Sequence, residues 1–198
     1  MHELLIATNN RGKLAEFARL LAGLSVTLRD LSHYRISSEA NETGQSFAEN
    51  ASIKAAFYAK LSGAPALADD SGLVVDHLNG EPGVHSARYG GENARDIDRI
   101  DKMLAELGDT RDRSARFVCI CALADARGNI VRMAEGVCEG SIADAPSGAN
   151  GFGYDPVFVP VGFDQTFGEL TSDIKQSISH RALAVKKMIP FLRGFFKI

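Results

Sequence analysis

A short apolar run near the N-terminus, Leu4-Leu5-Ile6-Ala7, hands over through the polar stretch Thr8-Asn9-Asn10-Arg11-Gly12-Lys13 to a segment with Leu14, Phe17, Ala18, Leu20 and Leu21 at helical spacing. A buried strand that feeds a helix through a tight polar turn constrains the chain strongly, because such a unit packs well only as part of a sheet with helices laid against it. The rest of the sequence repeats the theme. Ser46 and Glu49 form the signature of a capping box ahead of a wide apolar face that includes Phe47, Ala51, Ala55, Tyr58 and Leu61, and Gly63 and Pro65 end that helix.

Ala66 to Ala68 and Leu73 to Val75 read as two short extended segments flanking an acidic turn, Asp69-Asp70-Ser71-Gly72. Asn93 to Leu107 reads as a helix. Arg116 to Ala124 and Ile130 to Glu139 are β-rich and are joined through Asp125-Ala126-Arg127-Gly128-Asn129, which reads as a hairpin. A glycine-rich loop over Gly148 to Tyr154, a short strand over Pro156 to Val159 and a closing amphipathic helix over Ser179 to Phe196 complete the pattern. Helices alternate with strands, but two strands are hairpin-joined. The expectation is therefore an α/β fold with a mixed, twisted sheet flanked by helices. No repeat, low-complexity tract or long linker interrupts the chain, so residues 1–198 are expected to form one domain, with room for two lobes.

Composition excludes several functions. With 45% hydrophobic residues among 198, the chain can build a core without metal or disulfide staples. Lys and Arg total 22 against 25 Asp and Glu, a formal charge of −3, so no broad positive field attracts nucleic acid or an anionic membrane. A polyanionic ligand must then be held by a local cluster. No stretch approaches the ~18 consecutive apolar residues of a membrane span, and the first ten residues lack the features of a signal peptide. Three cysteines, Cys119, Cys121 and Cys138, fit buried packing in a reducing cytoplasm better than a disulfide framework.

Four clusters carry chemistry. Backbone N–H groups of a turn that opens a helix face outward at the positive end of the dipole, so Thr8 to Lys13 can cradle phosphate, with Lys13 adding a full charge; the same residues can equally do no more than cap the helix. Glu16, three residues after Lys13, reads either as an exposed ion pair with it or as a carboxylate near a phosphate-bound metal. Glu42, Asp69 and Asp70 border apolar elements, and a set such as Glu16, Glu42 and Asp70 suits magnesium, which is held by one or two carboxylates together with phosphates. If Asp69 and Asp70 lie on an extended strand, they point to opposite faces, so one looks into the site and the other supports it from behind. Phe152, Gly153, Tyr154 and Asp155 offer two rings that can stack on a base beside an acid that can read a ring N–H, or else form a tight loop with buried aromatics. Lys175, Ser177, Ser179, His180 and Arg181 gather cations and hydroxyls at a helix start.

Taken together, Ala7 to Lys13 with Glu16, Glu42-Thr43-Gly44 with Phe47, Asn50 and Lys54, Ala68 to Leu73, Pro82 to Tyr89, Gly151 to Pro156 and Lys175 to Arg181 resemble the house-cleaning inosine/xanthosine triphosphate pyrophosphatases, over nearly the whole chain. The resemblance implies a homodimer with two lobes around a deep substrate cleft. It implies that Thr8, Asn9, Asn10, Arg11, Gly12 and Lys13 bind the triphosphate, that Glu42 and Asp70 bind Mg2+, that Asp70 is the proton acceptor and that Ser71 contacts substrate. It places Phe152, Gly153, Tyr154, Asp155, Lys175, His180 and Arg181 on the base-binding side. Asn9 stands where the family commonly has glycine, and because Asn tolerates left-handed backbone the turn is expected to survive. Two rivals are a Maf-like pyrophosphatase, against which the Gly-Phe-Gly-Tyr-Asp and Ser-His-Arg segments speak, and a non-catalytic nucleotide sensor, which would have no need of intact Glu42, Asp69 and Asp70.

Overall fold

The computed structural model describes residues 2–91 and 93–198. In chain order the elements are β1 (His2–Ile6), α1 (Arg11–Leu20), β2 (Val26–Arg29), α2 (Phe47–Ser62), β3 (Ala66–Val75), α3 (Asp96–Leu107), β4 (Ser114–Ala124), β5 (Ile130–Ile142), β6 (Phe158–Pro160), α4 (Ser172–Ile178) and α5 (His180–Phe196). Short 3₁₀ turns occupy Asp76–Leu78, Gly83–Arg88 and Asp155–Val157. The strands form one sheet in the order β2-β1-β3-β4-β5-β6. β1 runs parallel to β2 and to β3, whereas β5 and β6 are antiparallel, so the sheet is mixed as the sequence pattern requires.

The chain separates into two compact units. The first comprises residues 1–70, 119–136 and 181–198, and the second comprises 71–118 and 137–180. Unit 1 has two cores, one for each face of β1, because alternate strand residues point opposite ways. Leu4 and Ile6 pack with Phe17 and Leu21 of α1 and with Val185, Met188 and Leu192 of α5. Leu5 and Ala7 pack with Ala51, Ala55, Tyr58 and Ala59 of α2 and with Ala66 and Ala68 of β3. Alanines on both sides of that second contact let α2 lie close to the strands. Unit 2 is built around Leu73, Val75, Ile100, Met103, Phe117, Phe158 and Phe167, with Phe117 and Phe158 tilted at 4.6 Å between ring centroids.

Several expectations need correction. Asp69 to Gly72 is no turn, since β3 runs unbroken through the acidic pair; the carboxylates have buried cationic partners that remove the cost of putting charge into a strand. β2 is too short for its period to show in the sequence. The closing helix expected over Ser179 to Phe196 is α5, and the addition is the short α4 ahead of it: Thr171 caps α4 by accepting the Ile174 N–H, and Ser179, with extended backbone, separates α4 from α5. The box at α2 is modified too, because Ser46 accepts the Glu49 N–H while Glu49 reaches back to the Gln45 N–H. Gly63 ends that helix in left-handed conformation as expected.

In unit 2, the β5–β6 pairing runs against Gly140, where an added Cβ would lie 2.4 Å from the Val159 carbonyl oxygen and 2.5 Å from the Phe158 ring. Gly140→Ala is therefore expected to lower unfolding free energy by about 2 kcal/mol through overpacking, read as a reduced midpoint in urea with an unchanged slope.

Candidate active site

The turn from Thr8 to Lys13 is ordered by its own side chains. Thr8 Oγ1 accepts the Asn10 N–H at 3.2 Å, and Asn10 Oδ1 caps α1 by accepting the Lys13 N–H at 3.0 Å. Asn9 and Arg11 are exposed and Gly12 lies in the first turn of α1. Among the described residues, positive φ outside glycine falls at Arg35, Asn79 and Lys197, so the turn at Asn9 is made without left-handed backbone.

Strand alternation then sends the two adjacent acids of β3 into different company. Asp69, 2% exposed, receives Lys13 Nζ at 3.1 Å and Arg181 Nη2 at 2.9 Å, both on Oδ2. The Cys119 thiol donates to the same oxygen at 3.8 Å. Arg181 is itself 1% exposed and its other arm bonds Glu16. Burial raises the Asp69 carboxyl, but the charges of Lys13, Arg181 and Lys54 outweigh it and hold the group well below the ordinary carboxylate range.

Asp70 meets a different set. Lys54 Nζ lies 2.7 Å from Asp70 Oδ1 and 2.9 Å from Glu42 Oε2, so both carboxylates converge on a single ammonium. Asn50 donates to Asp70 Oδ2 at 3.5 Å, while its own Oδ1 accepts the Gly44 N–H at 2.8 Å. A Cβ at Gly44 would fall 2.6 Å from Glu49 Cβ and 2.7 Å from Asn50 Oδ1; only glycine lets the Glu42-Thr43-Gly44 strand of loop lie this close to the start of α2. Burial pushes the Asp70 carboxyl above its usual value, and Lys54 offsets this only in part. For the Lys54 ammonium burial acts downward, but Asp70, Asp69 and Glu42 prevail and raise it.

These contacts sort the expected residues. Glu42 and Asp70 share one cation, Lys54, whereas Glu16 is engaged by Arg181. Among the described residues no three His, Cys, Asp or Glu side chains converge as a metal cage. Two hard carboxylates around one positive charge nevertheless fit magnesium, which completes its shell with water and phosphate oxygens. The Arg181 side chain lies with Asp69 and Glu16, so a base-reading role would have to come from its backbone. Sequence places Lys54 and Asn50 in a motif without a role and Cys119 in plain buried packing, whereas the structure sets all three against the acidic pair. The first two stand four residues apart on α2, a spacing that puts them on one helix face and could have flagged them.

The remaining site residues lie in unit 2, apart from Arg181. Lys175 Nζ bonds Asp155 Oδ2 at 2.6 Å, both residues being buried, and stands 4.8 Å from the centroid of the Phe152 ring. The same Asp155 oxygen accepts the Phe152 N–H at 2.7 Å. Gly151 has φ +77°, and a Cβ there would fall 2.0 Å from that oxygen, so the loop needs glycine. Tyr154 is not a second stacking ring: it is 4% exposed, belongs to the core of unit 2 and donates through its hydroxyl to the Ser86 carbonyl. His180 is buried with its ring stacked on Phe117 at 4.6 Å. Ser71 follows Asp70 in β3 and is half-buried. Asp96, which no motif marked, accepts the Gly153 N–H at 2.6 Å from the first turn of α3 and pins the loop.

A model of the Ham1 family matches residues 4–191. The chain belongs to the Ham1 family. A relative from Bacillus licheniformis named dITP/XTP pyrophosphatase is 47% identical over 97% of this chain and 98% of its own length. Among solved structures, a HAM1 protein from Coxiella burnetii superposes with a TM-score of 0.89 at 43% identity, covering 98% of this chain and all of that one. The Ham1 protein of Staphylococcus aureus gives a TM-score of 0.87 at 41% identity, covering 97% of this chain and 98% of that one. The six ordered motifs thus reflect real kinship across the whole Ham1 chain.

The Asp69 cluster is the part of this Ham1 site whose loss should be felt in stability. Asp69→Asn leaves the buried Arg181 and the half-buried Lys13 short of a counter-charge and is expected to cost about 3 kcal/mol. Because the folded value is depressed, the carboxylate's contribution is complete above the ordinary carboxylate range and fades only as pH falls through the folded value. The gap between wild type and variant in urea unfolding should therefore stay level from neutral pH down to about pH 5.

Proposed function

We propose that this chain hydrolyses deaminated purine nucleoside triphosphates, ITP, dITP and XTP, to the monophosphate and pyrophosphate, and so clears them from the nucleotide pool. The observation that carries this reading is the convergence of Glu42 and Asp70 on one cation position, in a chain of the Ham1 family whose relatives bear the name dITP/XTP pyrophosphatase. A regulatory sensor would need no such pair.

Roles follow from the chemistry of each group. The Thr8 to Lys13 turn offers backbone donors and a lysine to the triphosphate. Glu42 and Asp70 would hold magnesium, which neutralises phosphate charge when bound. Asp70 orients a water molecule and takes its proton as the oxygen attacks the α-phosphorus; the bond from that phosphorus to the bridging oxygen breaks, and pyrophosphate leaves in line. A carboxyl raised by burial is a better base than a solvated one, provided it is ionised, which suits Asp70 and not its neighbour. Ser71 adds a substrate contact. Phe152 supplies a stacking face, Asp155 with Lys175 reads the base edge, and backbone donors of His180 and Arg181 meet the 6-keto oxygen that hypoxanthine and xanthine share. An amino group at that place would set donor against donor.

The working form is a cytoplasmic homodimer acting on free nucleotides, with no nucleic acid or membrane partner. The formal charge of −3 supports the reading that no nucleic acid is bound, and no helix among the described residues is long and apolar enough to cross a membrane.

Asp70→Asn is expected to reduce pyrophosphate release by at least about 10²-fold under excess magnesium; near-normal turnover would remove both roles from that carboxylate. With the wild-type protein, ITP, dITP and XTP should be hydrolysed about 10²-fold or more faster than ATP, judged by kcat/KM. Equal ATP turnover would defeat the 6-keto reading.

A further inference from the structure

The two carboxylates proposed to hold magnesium are already joined by a cation of the chain's own. Lys54 Nζ sits within 3 Å of both Glu42 Oε2 and Asp70 Oδ1, and it is largely buried, with 12% of its side chain exposed. Lys54 stands on α2 one turn after Asn50, which accepts the Gly44 N–H and donates to Asp70. An ammonium and a divalent ion cannot share one pair of carboxylate oxygens, since like charges a few ångströms apart in a half-buried site repel strongly. Yet a nucleotide's phosphates would offer Lys54 a new partner of opposite charge.

We propose that Lys54 is a built-in counter-ion that occupies the metal position in the nucleotide-free protein, so that Lys54 must move onto the incoming phosphates before the cation can be held. The proposal rests on the pyrophosphatase reading above and extends it to regulation of the same site. Its consequence is positive coupling: the free protein holds divalent cation weakly, and nucleotide and metal load together. The like-charged pair is never left bare, which also spares the folded protein the repulsion of Glu42 against Asp70. Lys13 and Arg181 do not compete for this role, because Asp69 and Glu16 engage them.

The test is titration of nucleotide-free protein with Mn2+ alone, an oxygen-seeking substitute for magnesium. Lys54→Met is expected to bind Mn2+ roughly 10-fold more tightly than wild type, within the range typical of such couplings. Lys54→Arg, which keeps a cation at the carboxylates, should bind as weakly as wild type. Adding Asp70→Asn to Lys54→Met should abolish the tight site, which ties it to this pair and not to other surface acids. Mn2+ should also raise the melting temperature of Lys54→Met more than that of wild type. Equal or weaker Mn2+ binding by folded Lys54→Met overturns the proposal. If that variant does not fold, the wild type decides through the nitrogen resonance of the Lys54 ammonium, which should move on adding magnesium pyrophosphate; an unmoved resonance overturns the proposal. Wild-type hydrolysis of dITP is measured alongside. Its absence would defeat the pyrophosphatase reading, whereas hydrolysis with no gain in Mn2+ affinity would defeat only the role of Lys54.

Discussion

A single buried carboxylate organises unit 1 of this Ham1 chain. Asp69 collects Lys13 from α1, Arg181 from the first turn of α5 and the thiol of Cys119 from β4, so three elements far apart in sequence meet on one oxygen. Burying any of these charges alone would cost several kcal/mol; burying them as a hydrogen-bonded set removes most of that cost and fixes where each can go. Hydrophobic packing decides that α1 and α5 cover the same face of β1. The ion cluster decides the position of α1 along that face, and with it the position of the turn from Thr8 to Lys13.

The neighbouring Asp70 shows how environment, and not residue type, divides labour. Both acids lie on β3, but one faces two cations and a thiol, while the other faces a lysine that it shares with Glu42. Asp69 is thereby locked in its charged form, a structural anion with no proton chemistry near neutral pH. Asp70 is lifted by burial and remains responsive to what approaches it. The same contrast recurs in unit 2. Tyr154 is absorbed into the core and its hydroxyl hydrogen-bonds the Ser86 carbonyl, whereas Phe152, one turn of loop earlier, keeps a half-buried ring beside Lys175.

Much of this was legible in the sequence, and the misses share a cause. Strand β1, the turn, α1, the Ser46 start and Gly63 end of α2, and the β4–β5 connection all carry strong local signals, and the structure has them. The acidic stretch in β3 was misread because turn preference is local, whereas the partners that allow two aspartates inside a strand come from Lys13, Lys54 and Arg181. For the same reason Arg181 was grouped with its sequence neighbours His180 and Lys175, though its guanidinium belongs with Glu16 and Asp69. Glu42 and Asp70 stand out as a magnesium pair from their places beside apolar elements and from the resemblance; their convergence on Lys54 does not, because nothing in spacing says that an ammonium would bridge them. Asp96 was invisible for a simpler reason: its service to the Gly153 amide is a tertiary contact with no motif attached.

Strand alternation also makes β3 unforgiving. Insertion or loss of one residue before Asp69 would turn the whole strand over, presenting Asp69 to Lys54 and Asp70 to Arg181. The two carboxylates would still be adjacent, but each would stand in the other's surroundings. This short segment can therefore accept exchanges of side chain far more readily than any change in its length.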